Sequence, residues 1–226
     1  MSVWAIIPSA GTGARFGGAK PKPLAELAGR PLIAHTLGVF EQCPQVDGIV
    51  LLVHPDWRRD YEQLVAEGRF SKVKAVVAGG ATRTASVQRG LAALADDVTV
   101  VMVHDGVRPF VTHGMIAEGL QAAKATGAAV AGVKVKPTVK SVDPRTQLVV
   151  ATLDREILWE AQTPQVFDRG LLEKAYRALG EDGAAATDDA ALVERIGGRV
   201  QMYPGAYTNI KVTTPDDMAV ARSLLQ

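Results

Sequence analysis

The sequence predicts an α/β fold in which helices cover both faces of a mostly parallel sheet. Two observations carry this prediction. Short apolar runs rich in β-branched residues recur along the first part of the chain, and segments with apolar residues near a period of 3.6 separate them. Near-continuous apolar strands are typical of sheets covered on both faces, and helical crossovers favour parallel, right-handed connections. We therefore expect a three-layer α/β/α sandwich.

The individual elements follow in chain order. Strands are predicted at Val3–Ile7, Gly48–Val53, Val73–Val77, Val98–Val103 and Ala128–Val133. The helices between them are predicted at Leu32–Gln42, Trp57–Glu67, Thr84–Leu94 and His113–Thr126. The C-terminal part adds helices near Arg169–Leu179 and Thr187–Ile196, a strand at Arg199–Tyr203 and a helix from Pro215. Thr214 is the predicted N-cap of this last helix, with Asp217 at the capping-box position.

One segment, at about residues 134–155, departs from this rhythm. It alternates apolar and polar residues around a turn signal at Asp143 and Pro144, which predicts an extended hairpin. A projecting hairpin exposes strand edges, and such edges are a liability unless another chain covers them. We therefore expect a β-arm that joins two copies of the chain in a homodimer.

Length and composition favour one domain, residues 1–226, located in the cytoplasm. A chain of 226 residues can bury one substantial core, and no apolar run approaches the roughly 20 residues of a spanning helix. Met1 is followed directly by an apolar strand, without the pattern of a secretory signal. The net charge of +1 argues against a broad nucleic-acid surface, so we expect small phosphorylated ligands and neither nucleic acid nor membrane as partner. The single cysteine, Cys43, can form no intrachain disulfide.

The loop after the first strand, residues 8–23, has the composition of a phosphate-binding loop. Gly11 and Gly13 let backbone N–H groups approach a polyanion, and Arg15 and Lys22 add positive charge. A dinucleotide fingerprint would need a third glycine at the position of Phe16, and no G-x-x-x-x-G-K-[ST] motif is present. The loop therefore favours transfer chemistry on a nucleotide over a dinucleotide cofactor or a P-loop.

Two further segments carry candidate functional groups. In GGATRTASV, residues 79–87, the glycine pair permits close approach to a base, Ser86 can hydrogen-bond a pyrimidine edge and Arg83 can hold a loop or a phosphate. The other interpretation is that its Ser and Thr residues are helix N-caps.

The second segment, VHDGVRP, lies at the carboxyl end of a strand, where ligands of open α/β sheets bind. Asp105 can hold Mg²⁺ against phosphate oxygens or accept substrate hydroxyls, and Arg108 can steer a phosphate or brace Asp105. A histidine between a buried strand and a turn, here His104, is more often structural than catalytic.

Together these segments resemble the 2-C-methyl-D-erythritol 4-phosphate cytidylyltransferase family of the non-mevalonate isoprenoid pathway. The resemblance covers essentially the whole chain and rests on PSAGTGARF with PKP, GGATRTASVQRGL, VHDGVRPF, PTVK, LDR with QTPQVF, TDDAALVE and NIKVTTPDD. It implies a Rossmann-like nucleotidyltransferase domain that converts CTP and methylerythritol phosphate to the CDP-alditol and pyrophosphate, with Mg²⁺. It also implies a homodimer whose arms exchange.

The resemblance assigns residues to each part of the reaction. Arg15 and Lys22 would stabilise the transition state at the α-phosphate, and Asp105 would serve the metal or the sugar hydroxyls. The cytosine and ribose pocket would be lined by Ser9, Ala10, Gly80 and Ser86. The substrate phosphate would be positioned by Lys211 and, from the partner subunit, by Thr138 and Arg155. Thr187 and Asp188 match a motif near the same site, but Asp188 can equally cap the following helix.

Three positions depart from the family pattern, namely Pro137, Ala81 and Gly106, which stand where an aspartate, an acidic residue and an alanine are usual. Pro137 removes a carboxylate and a backbone N–H, which bears on the geometry of the arm. Two other functions remain open: a ribitol 5-phosphate cytidylyltransferase, which has similar segments, and a non-catalytic nucleotide-binding module. The Ser9-Ala10-Gly11 sequence favours the methylerythritol phosphate enzyme.

Overall fold

The computed structural model describes residues 1–11, 20–179 and 186–225 of the chain. Its strands are β1 (Ser2–Ser9), β2 (Glu26–Leu27), β3 (Arg30–Pro31), β4 (Gly48–Val53), β5 (Val73–Ala78), β6 (Val98–Val103), β7 (Ala128–Lys134), β8 (Lys140–Val142), β9 (Val149–Thr152), β10 (Trp159–Asp168) and β11 (Gln201–Pro204). Its helices are α1 (Leu32–Gln42), α2 (Arg58–Glu67), α3 (Arg83–Ala92), α4 (His113–Thr126), α5 (Arg169–Arg177), α6 (Ala190–Arg195) and α7 (Pro215–Leu224). Short 3₁₀ turns lie at Lys22–Leu24, Pro55–Trp57 and Arg155–Ile157.

Seven strands form the main sheet, in the order β11-β7-β10-β6-β1-β4-β5. β1 pairs in parallel with β4 on one side and with β6 on the other, and β5 and β11 also run parallel to their neighbours. β10 runs antiparallel to both β6 and β7. From β1 the chain proceeds outward through β4 and β5, and β6 then returns to the other side of β1. Ligands of open sheets bind at the carboxyl ends of strands where the order reverses in this way.

Helices cover both faces of this sheet, which confirms the three-layer prediction. Ala5 and Ile7 of β1 pack into a core cluster with α1, α2 and α4, whereas Ile6 packs into a second cluster with α3, α5 and α6. The alternation arises because successive side chains of a strand point to opposite faces. A smaller third cluster, which includes Leu27 and Met218, joins α7 to β2.

β10 is a strand that the sequence pattern does not predict. Its centre carries Gln162, Thr163, Pro164 and Gln165, and proline among polar residues argues against a central strand. The structure buries the three polar side chains, and each has a hydrogen-bond partner elsewhere in the chain. The linear pattern is misleading here because tertiary contacts satisfy these polar groups.

The arm contains the predicted hairpin, formed by β8 and β9, which pair with each other and not with the main sheet. Its turn is held by Asp143, whose Oδ1 accepts from the backbone N–H groups of Arg145 and Thr146 at 2.9 and 2.8 Å. Of the twelve large hydrophobic side chains that are exposed in the described ranges, seven lie between residues 142 and 159. Because an isolated two-stranded hairpin is marginally stable in water, this segment needs apolar cover.

Several element boundaries fall where the sequence predicts them, as in α1, α4, β4 and β6. α6 begins later than expected, because Oδ1 of Asp188 accepts from the N–H of Ala191 at 2.9 Å and the preceding residues belong to this cap. The predicted capping box of α7 is present, with Thr214 and Asp217 hydrogen-bonded in both directions. Within residues 1–11, 20–179 and 186–225, no helix has the length and apolar character needed to cross a membrane.

Candidate active site

A cleft of about 740 Å³ opens at the carboxyl ends of β1, β5 and β6. Its volume lies in the range of roughly 300–1,000 Å³ that is typical of small-molecule sites. Nine residues that the sequence singled out line it, namely Ser9, Ala10, Gly11, Lys22, Gly80, Arg83, Ser86, Asp105 and Lys211. The fold therefore brings together residues that lie about 200 positions apart in the chain.

Asp105 is a buried carboxylate surrounded by cations, immediately beyond β6. Its Oδ2 lies 3.0 Å from Lys211 Nζ and 3.3 Å from Arg108 Nε, and its Oδ1 lies 3.6 Å from Arg83 Nε. Burial raises the pKa of this carboxyl, but the charges of Lys211, Arg83 and Arg108 outweigh burial and hold the pKa well below its ordinary value. Asp105 is therefore ionised at neutral pH and fixes the positions of three cationic groups.

His104 supports Asp105 from inside the sheet. Its Nε2 lies 3.1 Å from the carbonyl of Arg108, and a carbonyl only accepts, so Nε2 carries the proton. Nδ1 is then the acceptor for the hydroxyl of Thr163 at 3.0 Å, and the N–H of Asp105 donates to that same hydroxyl oxygen at 3.1 Å. Burial lowers the pKa of His104 to about 4, which keeps the ring neutral. The ring has a structural role, as the sequence favoured.

The loop between β5 and α3 is held together by its own hydroxyl groups. Thr82 is the N-cap of α3 and accepts from the N–H of Ala85 at 3.0 Å. Ser86 Oγ accepts from the N–H of Gly80 at 3.0 Å and donates to the carbonyl of Thr82 at 2.8 Å. The N-cap interpretation is therefore correct for Thr82. Ser86 shapes the wall of the cleft as well as lining it, and its contact with a base stays a prediction.

Two glycines permit close contacts at the base of the cleft. A Cβ at Gly79 would lie 2.3 Å from Ala10 Cβ, so this position can carry no side chain without displacing the backbone just after β1. A Cβ at Gly106 would lie 2.1 Å from Ser9 Oγ. An alanine at position 106 would therefore require the side chains of Ser9 and Ile33 to shift.

The loop that carries Lys211 is anchored next to Asp105. Arg108 Nη1 donates to the carbonyl of Asn209 at 2.8 Å, and Asn209 Nδ2 donates to the carbonyl of Thr163 at 2.9 Å. The N–H of Val212 donates to the carbonyl of Val107 at 2.9 Å. These contacts hold the backbone on both sides of Lys211, whose side chain is about half exposed toward the cleft.

Lys22 stands at the start of the first 3₁₀ turn and lines the cleft. The turn is fixed by prolines at positions 21 and 23, which limit the backbone on either side of the lysine. Burial raises the pKa of Asp217, but hydrogen bonds from Thr214 and Thr213 and the charge of Lys22 bring that pKa below its ordinary value. Lys22 therefore lies near the first turn of α7 as well as at the cleft.

Some predicted site residues do not meet in the cleft. Thr138, Arg155 and Thr187 are exposed and are absent from its lining. Arg155 Nη1 instead donates to the carbonyl of Lys136 at 3.1 Å, within the arm. Gly13 and Arg15 lie outside the described residues. The cleft of one chain therefore lacks the groups that the sequence assigned to the arm.

Asp189 is a site residue that sequence reasoning missed. It is buried, and its Oδ2 accepts from Arg83 Nη2 at 2.7 Å, which links the cleft to the core. The motif TDDAALVE did contain two adjacent carboxylates, and an apolar helix following them was the available signal that one would face inward. Asp188 takes the capping role, and its Oδ2 also accepts from Gln165 Nε2 at 2.8 Å.

The surroundings of Asp105 do not fit a direct ligand of Mg²⁺. Protein-bound Mg²⁺ takes oxygen donors from one or two carboxylates, substrate phosphates and water. Both carboxylate oxygens of Asp105 already face cationic side chains, and a divalent ion beside them would meet three positive charges. In the described part of the chain, no group of three or more His, Cys, Asp or Glu residues is placed to hold a metal. The geometry thus gives no support to the predicted metal contact of Asp105.

Comparison with known proteins identifies relatives along the full chain. The family model for IspD, 2-C-methyl-D-erythritol 4-phosphate cytidylyltransferase, matches residues 3–226. Curated proteins of the same name are similar, one from Desulforamulus reducens with 44% identity over 226 residues (100% of this chain, 96% of the relative) and one from Dehalococcoides mccartyi with 47% identity over 224 residues (99% and 96%).

The fold gives the same result. The crystal structure of 4-diphosphocytidyl-2C-methyl-D-erythritol synthase from Anaerococcus prevotii superposes with a TM-score of 0.87 at 30% identity, covering 100% of this chain and 98% of the other. The chain therefore belongs to the 2-C-methyl-D-erythritol 4-phosphate cytidylyltransferase family.

Proposed function

We propose that this protein transfers the cytidylyl group of CTP to 2-C-methyl-D-erythritol 4-phosphate, giving 4-CDP-2-C-methyl-D-erythritol and pyrophosphate for isoprenoid precursor synthesis. The observation that carries the proposal is the cationic cleft at the point where the strand order reverses, with Arg83 and Lys211 paired to one buried carboxylate and Lys22 in the lining. Positive charge placed in this way suits a reaction between two phosphorylated substrates.

The reaction is an in-line displacement at the α-phosphorus of CTP. A phosphate oxygen of the acceptor forms the new P–O bond, the bond to the bridging oxygen of the β-phosphate breaks, and pyrophosphate leaves with that electron pair. A phosphate monoester has a second pKa near 6, so the attacking oxygen is already largely ionised at neutral pH. The protein needs no covalent nucleophile, and its work is to hold two anions in line and to stabilise the charge that develops.

The residues divide by the part of the reaction they serve. At the nucleotide end, the backbone of residues 9–11 and the loop around Gly80 and Ser86 hold cytosine and ribose, close to the Gly79–Ala10 contact. Lys22, together with Arg15, stabilises the α-phosphate. Lys211 binds the acceptor phosphate and is oriented by Asp105 at 3.0 Å.

The arm supplies the rest of the acceptor site from a second copy of the chain. Thr138 and Arg155 are exposed on a segment with uncovered apolar side chains, such as Leu148 and Val150, each 69% exposed. Burial of these side chains against a partner would place the arm residues of one subunit at the cleft of the other, in a symmetric homodimer. The homodimer and the roles of these residues are part of the proposal.

The sequence predicts a Mg²⁺ requirement. The triphosphate of the substrate offers better ligands for this ion than the side chains of the cleft do. Phosphate oxygens are ligands that Mg²⁺ prefers, and they come with the substrate. In our proposal Asp105 orients cations instead of binding the metal. A single domain over residues 1–226 and a cytoplasmic location likewise remain predictions.

The test is release of pyrophosphate from CTP with each acceptor in turn. We expect release with 2-C-methyl-D-erythritol 4-phosphate, and little with ribitol 5-phosphate or without an acceptor. Faster release with ribitol 5-phosphate than with 2-C-methyl-D-erythritol 4-phosphate would identify the protein as a ribitol 5-phosphate cytidylyltransferase. CTP binding without release for any acceptor would indicate a nucleotide-binding module and contradict the proposal.

A further inference from the structure

Arg83 stands between two carboxylates, one in the cleft and one in the core. Its Nε lies 3.6 Å from Oδ1 of Asp105, and its Nη2 donates to Oδ2 of Asp189 at 2.7 Å. The Arg83 side chain is 29% exposed, whereas that of Asp189 is 1% exposed. The shorter and more deeply buried contact is the one to Asp189, and it decides the direction of the guanidinium.

Within the described residues, the side-chain partners of Asp189 are Arg83 and Tyr176. The Asp189 side chain makes no cap hydrogen bond to α6, since Asp188 takes that role. Its second oxygen, Oδ1, accepts from the hydroxyl of Tyr176 at 2.5 Å. Burial and the charge of Asp189 raise the pKa of Tyr176 far above its usual value, so the hydroxyl keeps its proton and donates. A carboxylate buried so deeply is stable only with such partners.

The charges show what would follow if Asp189 were neutral. Arg83 would lose its nearest anion, and Asp105 is the other carboxylate within its reach. A guanidinium binds a carboxylate best through two parallel hydrogen bonds, so Arg83 would turn its fork toward Asp105. It would then compete with Lys211, which holds Oδ2 of Asp105 at 3.0 Å.

We propose that Asp189, held by Tyr176, is a positioning residue that restrains Arg83 and so keeps Asp105 paired with Lys211 at the cleft. The inference rests on the proposed function in one respect, the assignment of Lys211 to the acceptor phosphate. It adds two residues, Asp189 and Tyr176, that touch no substrate and act through Arg83.

The principal test is Asp189→Asn, which keeps the shape of the side chain and an acceptor for Tyr176 but removes the charge. We expect the KM for the acceptor phosphate to rise on the order of tenfold, as expected for loss of one charged hydrogen bond, with a much smaller change in the KM for CTP. A merely structural role would lower the folded fraction, and with it kcat, and would leave both KM values unchanged.

A double-mutant cycle tests whether the effect passes through Arg83. In an Arg83→Met background the acceptor KM should no longer respond to Asp189→Asn, because there is no guanidinium left to restrain. An equal rise in KM with and without Arg83 would overturn the inference. Tyr176→Phe, which removes only the hydroxyl, should raise the acceptor KM by a smaller factor. If Asp189→Asn folds poorly, the acceptor KM of Tyr176→Phe tests the same inference.

Glu173→Gln is the matched control. Glu173 lies on α5, the helix of Tyr176, and is not part of the cleft lining. Its Oε1 accepts from Arg169 Nε at 2.7 Å. The substitution should leave both KM values at their wild-type level.

A measurement without substrate separates this inference from the proposed function. In protein labelled with ¹⁵N-lysine, the Nζ signal of Lys211, assigned with Lys211→Arg, should move in Asp189→Asn and stay in place in Glu173→Gln. An unchanged Lys211 signal in Asp189→Asn would contradict the inference even in an active enzyme. If the Lys211 signal shifts in Asp189→Asn but the wild-type protein releases no pyrophosphate, the proposed function alone is contradicted.

Discussion

The cleft pairs its charges within one chain, whereas the arm leaves its apolar side chains uncovered. Asp105 is buried and meets Arg83, Arg108 and Lys211 at 3.0–3.6 Å, all from the same chain. The arm, by contrast, exposes Leu148 and Val150 at 69% each. The cleft half of the site, including Lys211, is thus preorganised within one chain. In our proposal the remaining acceptor groups, Thr138 and Arg155, come from the arm of a second copy.

The largest effect is expected in the preorganised half, from Lys22→Ala. Loss of one charge-stabilising group at a transition state typically lowers turnover by about 10²-fold or more. Steady-state pyrophosphate release should show this loss in kcat. Lys124→Ala, which removes the same charge from the surface of α4, is the control and should have near-normal turnover. Near-normal turnover in Lys22→Ala itself would refute the role of that lysine.

A smaller but still large effect is expected in the arm, from Leu148→Glu. A carboxylate in an apolar interface opposes association, so sedimentation should shift from dimer to monomer. Activity should fall on the order of tenfold, because loss of a charged hydrogen bond to phosphate costs about that much. Val220→Glu alters a side chain on α7 that is 48% exposed, outside the arm, and serves as the control. A monomeric Leu148→Glu protein with full activity would show that the cleft is complete in one chain.

The smallest effect concerns the stability of the preorganised half and its dependence on pH. Burial lowers the pKa of His104 from 6.5 to about 4, so below pH 6.5 the unfolded chain binds a proton that the folded chain refuses. The free energy of unfolding should therefore fall as pH decreases from 6.5 toward 4, by on the order of 1 kcal/mol between pH 7 and pH 5.5. Urea unfolding at these pH values measures it. His104→Gln should flatten the slope, and an identical slope in both proteins would assign the effect to other groups.

The fold was largely predictable because its signals are local. α1 and α4 show helical periodicity, and β4 and β6 are continuous apolar runs, so their bounds follow from the sequence. β10 was not predictable, because its central polar residues are satisfied by partners from distant parts of the chain.

The candidate site divides in the same way. Lys22, Asp105 and Lys211 stand in recognisable motifs, and the structure places all three at one cleft. The role of Asp189 was hidden, because only the folded chain shows which of two adjacent aspartates turns inward. The ion pairs that argue against Asp105 as a metal ligand are likewise contacts between distant segments.

Subunit complementation measures whether the cleft of one chain works with the arm of another. Lys22→Ala loses the cleft lysine, so its homodimer should be nearly inactive, and Arg155→Ala loses the arm arginine, so its homodimer should keep about a tenth of wild-type activity. In a mixed dimer, one of the two sites combines an intact cleft with an intact arm. Co-expression of the two variants should restore roughly a quarter of wild-type activity, since half of the dimers are mixed and each has one complete site. Activity no higher than the mean of the two separate variants would contradict the account and place Arg155 with the cleft of its own chain.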